Sequence, residues 1–495
     1  MFKKVLIANR GLVAANCVRA VRELGACAAV VYETSDLGSA AVRAADEAIE
    51  IRSSNGSTAY LDVNAIVDAA VMCGADAVHP GYGFLAKSQE LAHLLKERDI
   101  AFLSAPLFPR TKEVAQKLGI GVLPGTPLLR NWAEVESSYA AVGFPLVVRA
   151  VASYGGWGHR VVNDLEELRP AWDHVAKQCE RHGVPGDIVL EKYLPDAHQV
   201  EFPVLRDHSG RVLALPEFET SVQRRFQKLI AESPAPSVKG ALRGQIESSI
   251  PALVNQLGLE GFASVVFQIV GGEAYLSEVD GSIQASHSVT SLFSGVNVIR
   301  EQVRVASGEA LRIQEEHVQR RGHVIGAFLY ATDPYRKFTP SPGRIGRFHA
   351  PMGEGIVLLS TVAAGDIVSP HYDPNIATLL VHDSTREEAI TRMRLALADF
   401  FVDGIQTTLP LLRAIVDSAD FVKVEISTSY LFSEDRRVQL LKGLRNEEDD
   451  EIAALVAALA LNTDANASQI MESAQHGGLL WAMASRVLNR KKMEF

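Results

Sequence analysis

Lys3-Lys-Val-Leu-Ile-Ala-Asn-Arg-Gly11 sets the fold class. Val5 to Ala8 is a short apolar run of strand length, and Asn9-Arg10-Gly11 ends it. A helical pattern then runs to Leu24, Gly25 stops it, and Ala28 to Tyr32 forms the next apolar strand. Val63 to Cys73 repeats the helix, Gly74 the stop and Ala75 to His79 the strand. Strand, helix, strand at this spacing predicts an α/β protein built on a parallel sheet covered by helices. Ligands in such sheets sit at the carboxyl ends of the strands, where Asn9-Arg10-Gly11 and His79-Pro-Gly-Tyr-Gly83 fall.

Working outward, Pro145 to Arg149 and His159 to Val162 read as two strands around a glycine-bearing loop, Ala152-Ser-Tyr-Gly-Gly-Trp-Gly158. Asp187 to Leu194 is a further strand. Ala263 to Ile269 and Glu273 to Val279 form a hairpin about Gly271-Gly272. A third region, His323 to Val424, mixes strands with a helix from Arg386 to Phe401. Glu434 to Glu451 is charged enough to be a linker. Two amphipathic stretches follow, Ile452 to Leu461 and Trp481 to Phe495.

The chain of 495 residues is too long for one core, which predicts about three domains. A net charge of -10 argues against a nucleic-acid binder. The four cysteines, Cys17, Cys27, Cys73 and Cys179, are widely spaced and fit a reducing compartment. With no apolar run of the roughly 20 residues that a membrane span needs, the expectation is a cytoplasmic protein.

Five segments then stand in a familiar order: Ile7-Ala-Asn-Arg-Gly11, His79-Pro-Gly-Tyr-Gly-Phe-Leu85, Gln223-Arg-Arg-Phe-Gln-Lys228, Pro234-Ala-Pro236 and Pro340-Ser-Pro-Gly-Arg-Ile-Gly-Arg-Phe-His-Ala350. Together they resemble the biotin carboxylases of acetyl-CoA and acyl-CoA carboxylases, members of the ATP-grasp superfamily. The resemblance implies four parts: a Rossmann-like pre-ATP-grasp domain over 1–105, an ATP-grasp domain over 106–322 with its lid at about 125–195, an α+β carboxylase C-terminal domain over 323–432, and a charged linker with a helical tail over 433–495. The family makes carboxyphosphate from ATP and bicarbonate, then carboxylates biotin on a carrier. No Met-Lys-Met carrier site is present, so covalent biotin is not expected here. Carrier and carboxyltransferase are expected as separate chains.

Carried over residue by residue, the resemblance implies a partly dismantled site. Lys228, Gln284 and Arg347 match family positions for bicarbonate and biotin, and His287 is also kept. The family's base falls on Ser286, its anion-holding arginine on Ser282, and one of its two metal-binding carboxylates on Val266. A hydroxyl has too high a pKa to act as base without an activator, and serine cannot clamp an anion bidentately. Glu278 matches the other metal ligand. Asp280 stands for an asparagine and offers a compensating oxygen. The nucleotide set is Arg149 in place of a lysine, Gly155 and Gly156 in the loop, Glu191-Lys192-Tyr193-Leu194 on the adenine side, and Gln199 and Phe226 in place of histidines. Lys87 replaces a glutamate. No counterpart to a second family lysine is found between Pro106 and Pro124. ATP and Mg2+ are thus implied with weakened binding.

Arg19 and Glu23 match dimer-interface positions, implying a homodimer or a heterodimer with an active biotin carboxylase, with the C-terminal tail as a docking element. Three readings follow: a catalytically silent or impaired subunit with an assembly or regulatory role, an active ATP-dependent biotin carboxylase with altered ligands, and an ATP-grasp ligase with another acceptor.

Overall fold

The computed structural model describes residues 1–443 apart from 54–57, 84, 106–109, 152–157, 183, 185, 225 and 373. Its first unit is a five-stranded parallel sheet. The spatial order is Glu47–Glu50, Cys27–Tyr32, Lys4–Ile7, Ala77–His79, Ala101–Phe102. Helix Gly11–Glu23 buries Val13, Ala14, Cys17, Val18 and Val21, the apolar stripe that its period requires. Helix Val63–Cys73 starts at Asp62, whose carboxylate accepts from Ala65 N, and ends at Gly74, which adopts a left-handed φ of 64°.

The second and third regions share one nine-stranded sheet. Its main path runs Glu273–Asp280, Gly261–Val270, His198–Arg206, Phe218–Glu219, Ile230–Ser233, His323–Tyr330, Asn375–Asp383, Ile356–Ser360. The boundary expected at 322/323 therefore falls between elements of a single sheet. The antiparallel pair Ile230–Ser233 and His323–Tyr330 carries the hydrogen bonding across it. A separate three-stranded sheet, His159–Val162, Leu146–Ala150 and Ile188–Lys192, packs with helices Trp132–Val142 and Leu165–His182 around a core of its own.

The predicted hairpin about Gly271-Gly272 is present, with both glycines at positive φ (60° and 82°). The helix expected from Arg386 ends at Asp399 and begins with a full capping box, Thr385 and Glu388. One reading needs correction. Glu434 to Glu451 is not linker throughout, because Glu434–Lys442 is a helix capped by Ser433 with Arg437 and Leu441 buried. Charge density alone misses this, since two inward side chains on a short helix suffice to hold it. The rest of the proposed linker and tail, 444–495, lies outside the described residues.

Gly281 joins the hairpin to the first unit. A Cβ there would lie 2.4 Å from Ala105 Cβ and 2.7 Å from Ala105 O. The close approach lets Ala105 N donate to Gly281 O at 3.0 Å. Because part of the obstacle is backbone, it cannot rotate away. Gly281→Ala is expected to cost about 2–3 kcal/mol, measured by urea unfolding.

Candidate active site

The hairpin, the strand beside it and the three-stranded sheet line a cavity of about 240 Å³ together with the loop ends of the first unit. Strand alternation sets which side chains enter it. On His198–Arg206, Gln199 and Glu201 face the cavity while Val200, Phe202 and Val204 face the core. On Gly261–Val270, Val266 and Gln268 face the cavity while Val265, Phe267 and Ile269 face the core. On the partner strand the register shifts between Val266 and Phe267, so that Val266 opposes Glu278 and Phe267 opposes Leu276. Ser277 is the extra residue. This bulge sends Leu276 into the core and turns Ser277, Glu278 and Asp280 toward the cavity.

Asn9 ties the first unit's two loop ends together, donating from Nδ2 to Pro80 O at 2.6 Å and to Tyr82 O at 2.8 Å. Tyr82, Gly83 and Lys87 thereby reach the cavity. Lys87 sits just before Ser88, which caps helix Gln89–Lys96.

Lys87 Nζ lies 2.9 Å from Asp280 Oδ2. Asp280 Oδ2 also accepts from Gln284 Nε2 at 2.9 Å, and its Oδ1 accepts from Ser282 N at 3.0 Å and Ser282 Oγ at 2.7 Å. Burial works against both charges, but the pairing outweighs it: the Lys87 pKa is raised, with Glu278 contributing, and that of Asp280 is lowered. Lys228 is in close contact with Glu201 and lies 3.4 Å from Ser286 Oγ. Glu201 is 1% exposed and also accepts from Thr220 Oγ1 and Ser264 Oγ. Ser286 precedes helix His287–Ser294 without capping it by its side chain. His287 Nδ1 is 2.8 Å from Gln284 O, and burial lowers its pKa.

Strand Ile188–Lys192 carries Glu191, which accepts from Lys112 Nζ at 2.7 Å and Arg149 Nε at 2.8 Å. Lys112 is the cation that the interval between Pro106 and Pro124 conceals. It is the second residue of helix Thr111–Lys117, and only its contact with Glu191 reveals it as a cavity residue. Lys192 Nζ donates to Phe144 O at 2.6 Å. Tyr193 and Leu194 complete this wall. Phe226, at a φ of 67°, stacks on His159 with ring centroids 4.4 Å apart.

Not every expected residue is in the cavity. Arg347 is exposed, in the irregular segment between Gly343–Arg344 and Phe348–His349, and does not line the cavity. Gly155 and Gly156 lie outside the described residues. Arg19 and Glu23 are exposed on helix Gly11–Glu23, and Glu23 accepts from Arg300 Nη1 at 3.3 Å.

The donor set does not suit a divalent ion bridged by two carboxylates. Of the four cavity carboxylates, Glu191, Glu201 and Asp280 are each paired to a cation. Glu278 alone has no hydrogen bond or ion pair among the described residues, and the residue opposite it is the apolar Val266. No group of three or more His, Cys, Asp or Glu that could hold a metal occurs among the described residues.

The Glu191 cluster predicts a pH dependence. Burial alone would raise its pKa, but Arg149 and Lys112 bring it from the ordinary 4.5 down to about 2. A depressed folded pKa adds stability above the ordinary value, and that stability is lost as pH falls toward the folded one. The stability difference between wild type and Glu191→Gln is expected to narrow between about pH 5 and pH 2, followed by urea unfolding at stepped pH.

Profiles described as "Biotin carboxylase, N-terminal domain", "Carbamoyl-phosphate synthase L chain, ATP binding domain" and "Biotin carboxylase C-terminal domain" match residues 1–106, 109–314 and 327–433. "Biotin carboxylase 1" of Bacillus subtilis is 36% identical over 443 residues, covering 87% of this chain and 98% of its own. The "2-oxoglutarate carboxylase small subunit" of Hydrogenobacter thermophilus is 35% identical over 442 residues, covering 87% and 93%. Among solved structures, the biotin carboxylase domain dimer of Hydrogenobacter thermophilus 2-oxoglutarate carboxylase, in complex with MgADP, ADP and bicarbonate, superposes with a TM-score of 0.82 at 34% identity. It covers 88% of this chain and 98% of that one. With this coverage from end to end of its relatives, the chain belongs to the biotin carboxylase family.

Proposed function

We propose that this protein is a biotin-carboxylase-like component of a biotin-dependent carboxylase assembly, catalytically silent or strongly impaired, with a role in assembly or regulation. The observation that carries the reading is the occupation of Asp280 by Lys87, Ser282 and Gln284. Where the reaction needs a free base and an anion clamp, this chain has Ser286 and Ser282 and a carboxylate already neutralised. Phosphoryl transfer rests on charge neutralisation at fixed positions. Losing one such group costs roughly 10²–10³ in rate, and losing several leaves little turnover.

On this reading the cavity takes an adenine nucleotide, with Arg149 and the segment Glu191 to Leu194 lining its site and Gln199 and Phe226 alongside. The partners are a separate biotin carrier and a carboxyltransferase. Pairing would go through the exposed face carrying Arg19 and Glu23, with a second copy or with an active biotin carboxylase, and the C-terminal tail would dock to the complex. Relatives named as carboxylase subunits support the assembly part of the reading.

An active enzyme is the second reading, favoured by Lys228 and Gln284 in the cavity and by the name of the Bacillus subtilis relative. The two part on phosphate release from ATP with Mg2+, bicarbonate and free biotin. The silent reading expects no biotin-dependent increment, and a rate near that of the Bacillus subtilis protein would overturn it.

A further inference from the structure

Helix Arg386–Asp399 turns Ala389, Ile390, Met393 and Leu397 to the core. Its outer stripe, Glu388, Thr391, Leu395 and Asp399, lines a groove of about 650 Å³, and Pro351, Met352, Glu354 and Ile356 line the remainder. Steps of three and four residues put that stripe on one helix face. Met352 is 84% exposed and Leu395 68%. A single exposed apolar side chain is ordinary, but two lining one groove mark a contact surface. The charge there is one-sided. Glu354, Asp383, Glu387, Glu388 and Asp399 face one arginine, Arg392, among the described residues lining the groove. Arg392 is held by Asp383, at 2.6 Å, and by the Glu354 carbonyl. Asp399 lies 3.3 Å from His349, and neither Glu354 nor Glu387 has a side-chain ion pair among the described residues. Such a groove fits an occupant that is apolar on one face and cationic beside it.

One segment of this chain has that composition. Trp481, Ala484, Leu488 and Phe495 recur at helical spacing, and Lys491 and Lys492 flank their stripe. With Arg486 and Arg490, the segment from Trp481 to Phe495 carries four cations against one acid, Glu494. At helical rise its length is about 22 Å, against about 17 Å from Glu388 to Asp399. The other amphipathic stretch, Ile452 to Leu461, has no cation and follows the acidic run Glu447 to Glu451, which the groove repels. Reach is sufficient. Helix Glu434–Lys442 packs on Leu409–Asp417, which packs on Arg386–Asp399, two steps of about 8–10 Å each. The 37 residues 444–480 cover about 55 Å even at helical rise.

We propose that Trp481 to Phe495 docks in this groove of its own chain, Met352 and Leu395 meeting its apolar face and the rim carboxylates its lysines. This goes beyond the tail as a docking element for the complex: a partner that takes the tail must first displace it from the groove. A tethered segment sees the groove at an effective concentration of about 1 mM, so an intrinsic Kd of about 0.1 mM keeps it docked about nine-tenths of the time.

Hydrogen exchange of the full chain, followed by mass spectrometry at two protein concentrations, tests this. Amides of 481–495 are expected to exchange about tenfold or more slowly than in the same sequence as a free peptide, equally at both concentrations. Leu395→Lys removes an apolar contact and sets a like charge against Lys491 and Lys492. It is expected to return the tail to the free-peptide rate, while strands His323–Tyr330 and Asn375–Asp383 keep their wild-type exchange and report that the variant is folded. Lys491→Glu with Lys492→Glu, made in the tail and leaving the groove intact, is expected to release it as well. Free-peptide rates in the wild type, or protection unchanged in either variant, overturns the proposal. Protection lost on dilution also overturns it, and assigns the groove to the tail of a second copy. None of these outcomes depends on turnover.

Discussion

Asp280→Ala is expected to destabilise the folded protein by about 3 kcal/mol. Asp280 is 6% exposed and anchors three groups at once: Lys87 Nζ, the Ser282 backbone and hydroxyl, and the Gln284 amide. Removing one partner of a buried pair costs more than the pair contributes, because the remaining charge stays desolvated. Lys87 keeps partial solvent contact, which places the cost at the low end of the usual range of about 3–5 kcal/mol. The stranded Lys87 ammonium also sets the sign of the second step. Lys87→Met in the Asp280→Ala background is expected to recover part of the loss, since it removes the stranded ammonium. A double-mutant cycle in urea isolates the coupling. A double mutant no more stable than the sum of the singles would show that the two residues do not act as a pair.

The second large effect lies outside the cavity. Glu232 on strand Ile230–Ser233 accepts from Arg386 Nε at 2.8 Å and sits 2.9 Å from His323 Nε2. Its side chain is 7% exposed, and those of His323 and Arg386 are 6% and 14% exposed. Arg386 opens helix Arg386–Asp399 and also donates to Phe421 O and Val422 O. One carboxylate thus links two strands of the shared sheet to the helix that covers them. Glu232→Ala leaves two cationic or polar groups buried without their acceptor, and is expected to cost about 3–5 kcal/mol. Glu232→Gln keeps an acceptor oxygen and is expected to cost less. Thermal and urea unfolding of both variants measure the difference.

Local order was legible in the sequence because it is encoded locally. The first unit's strand and helix alternation and the hairpin about Gly271-Gly272 follow from periodicity and counting within short segments, whereas the opposition of Val266 to Glu278 depends on the bulge at Ser277. What could not be read is pairing between distant segments. Lys87 is visible in the sequence only as a substituted glutamate and Asp280 only as a substituted asparagine; the fold makes them one ion pair. Lys112 lacks any local mark, and its role at Glu191 depends on how helix Thr111–Lys117 packs. The sheet shared across residues 322 and 323 is hidden for the same reason, since strand partners are chosen by tertiary packing. Arg347 shows the converse: a residue in a well-matched motif that is exposed and does not line the cavity.

These residues describe a biotin carboxylase scaffold in which Asp280 is paired with Lys87, Glu191 with Lys112 and Arg149, and Glu201 with Lys228. The most direct test is transfer of labelled bicarbonate to a biotinylated carrier protein in the presence of ATP and Mg2+, with the Bacillus subtilis relative as reference. The account predicts carboxybiotin formation at least roughly 10²-fold below the reference. Formation at a rate comparable to the reference would contradict it.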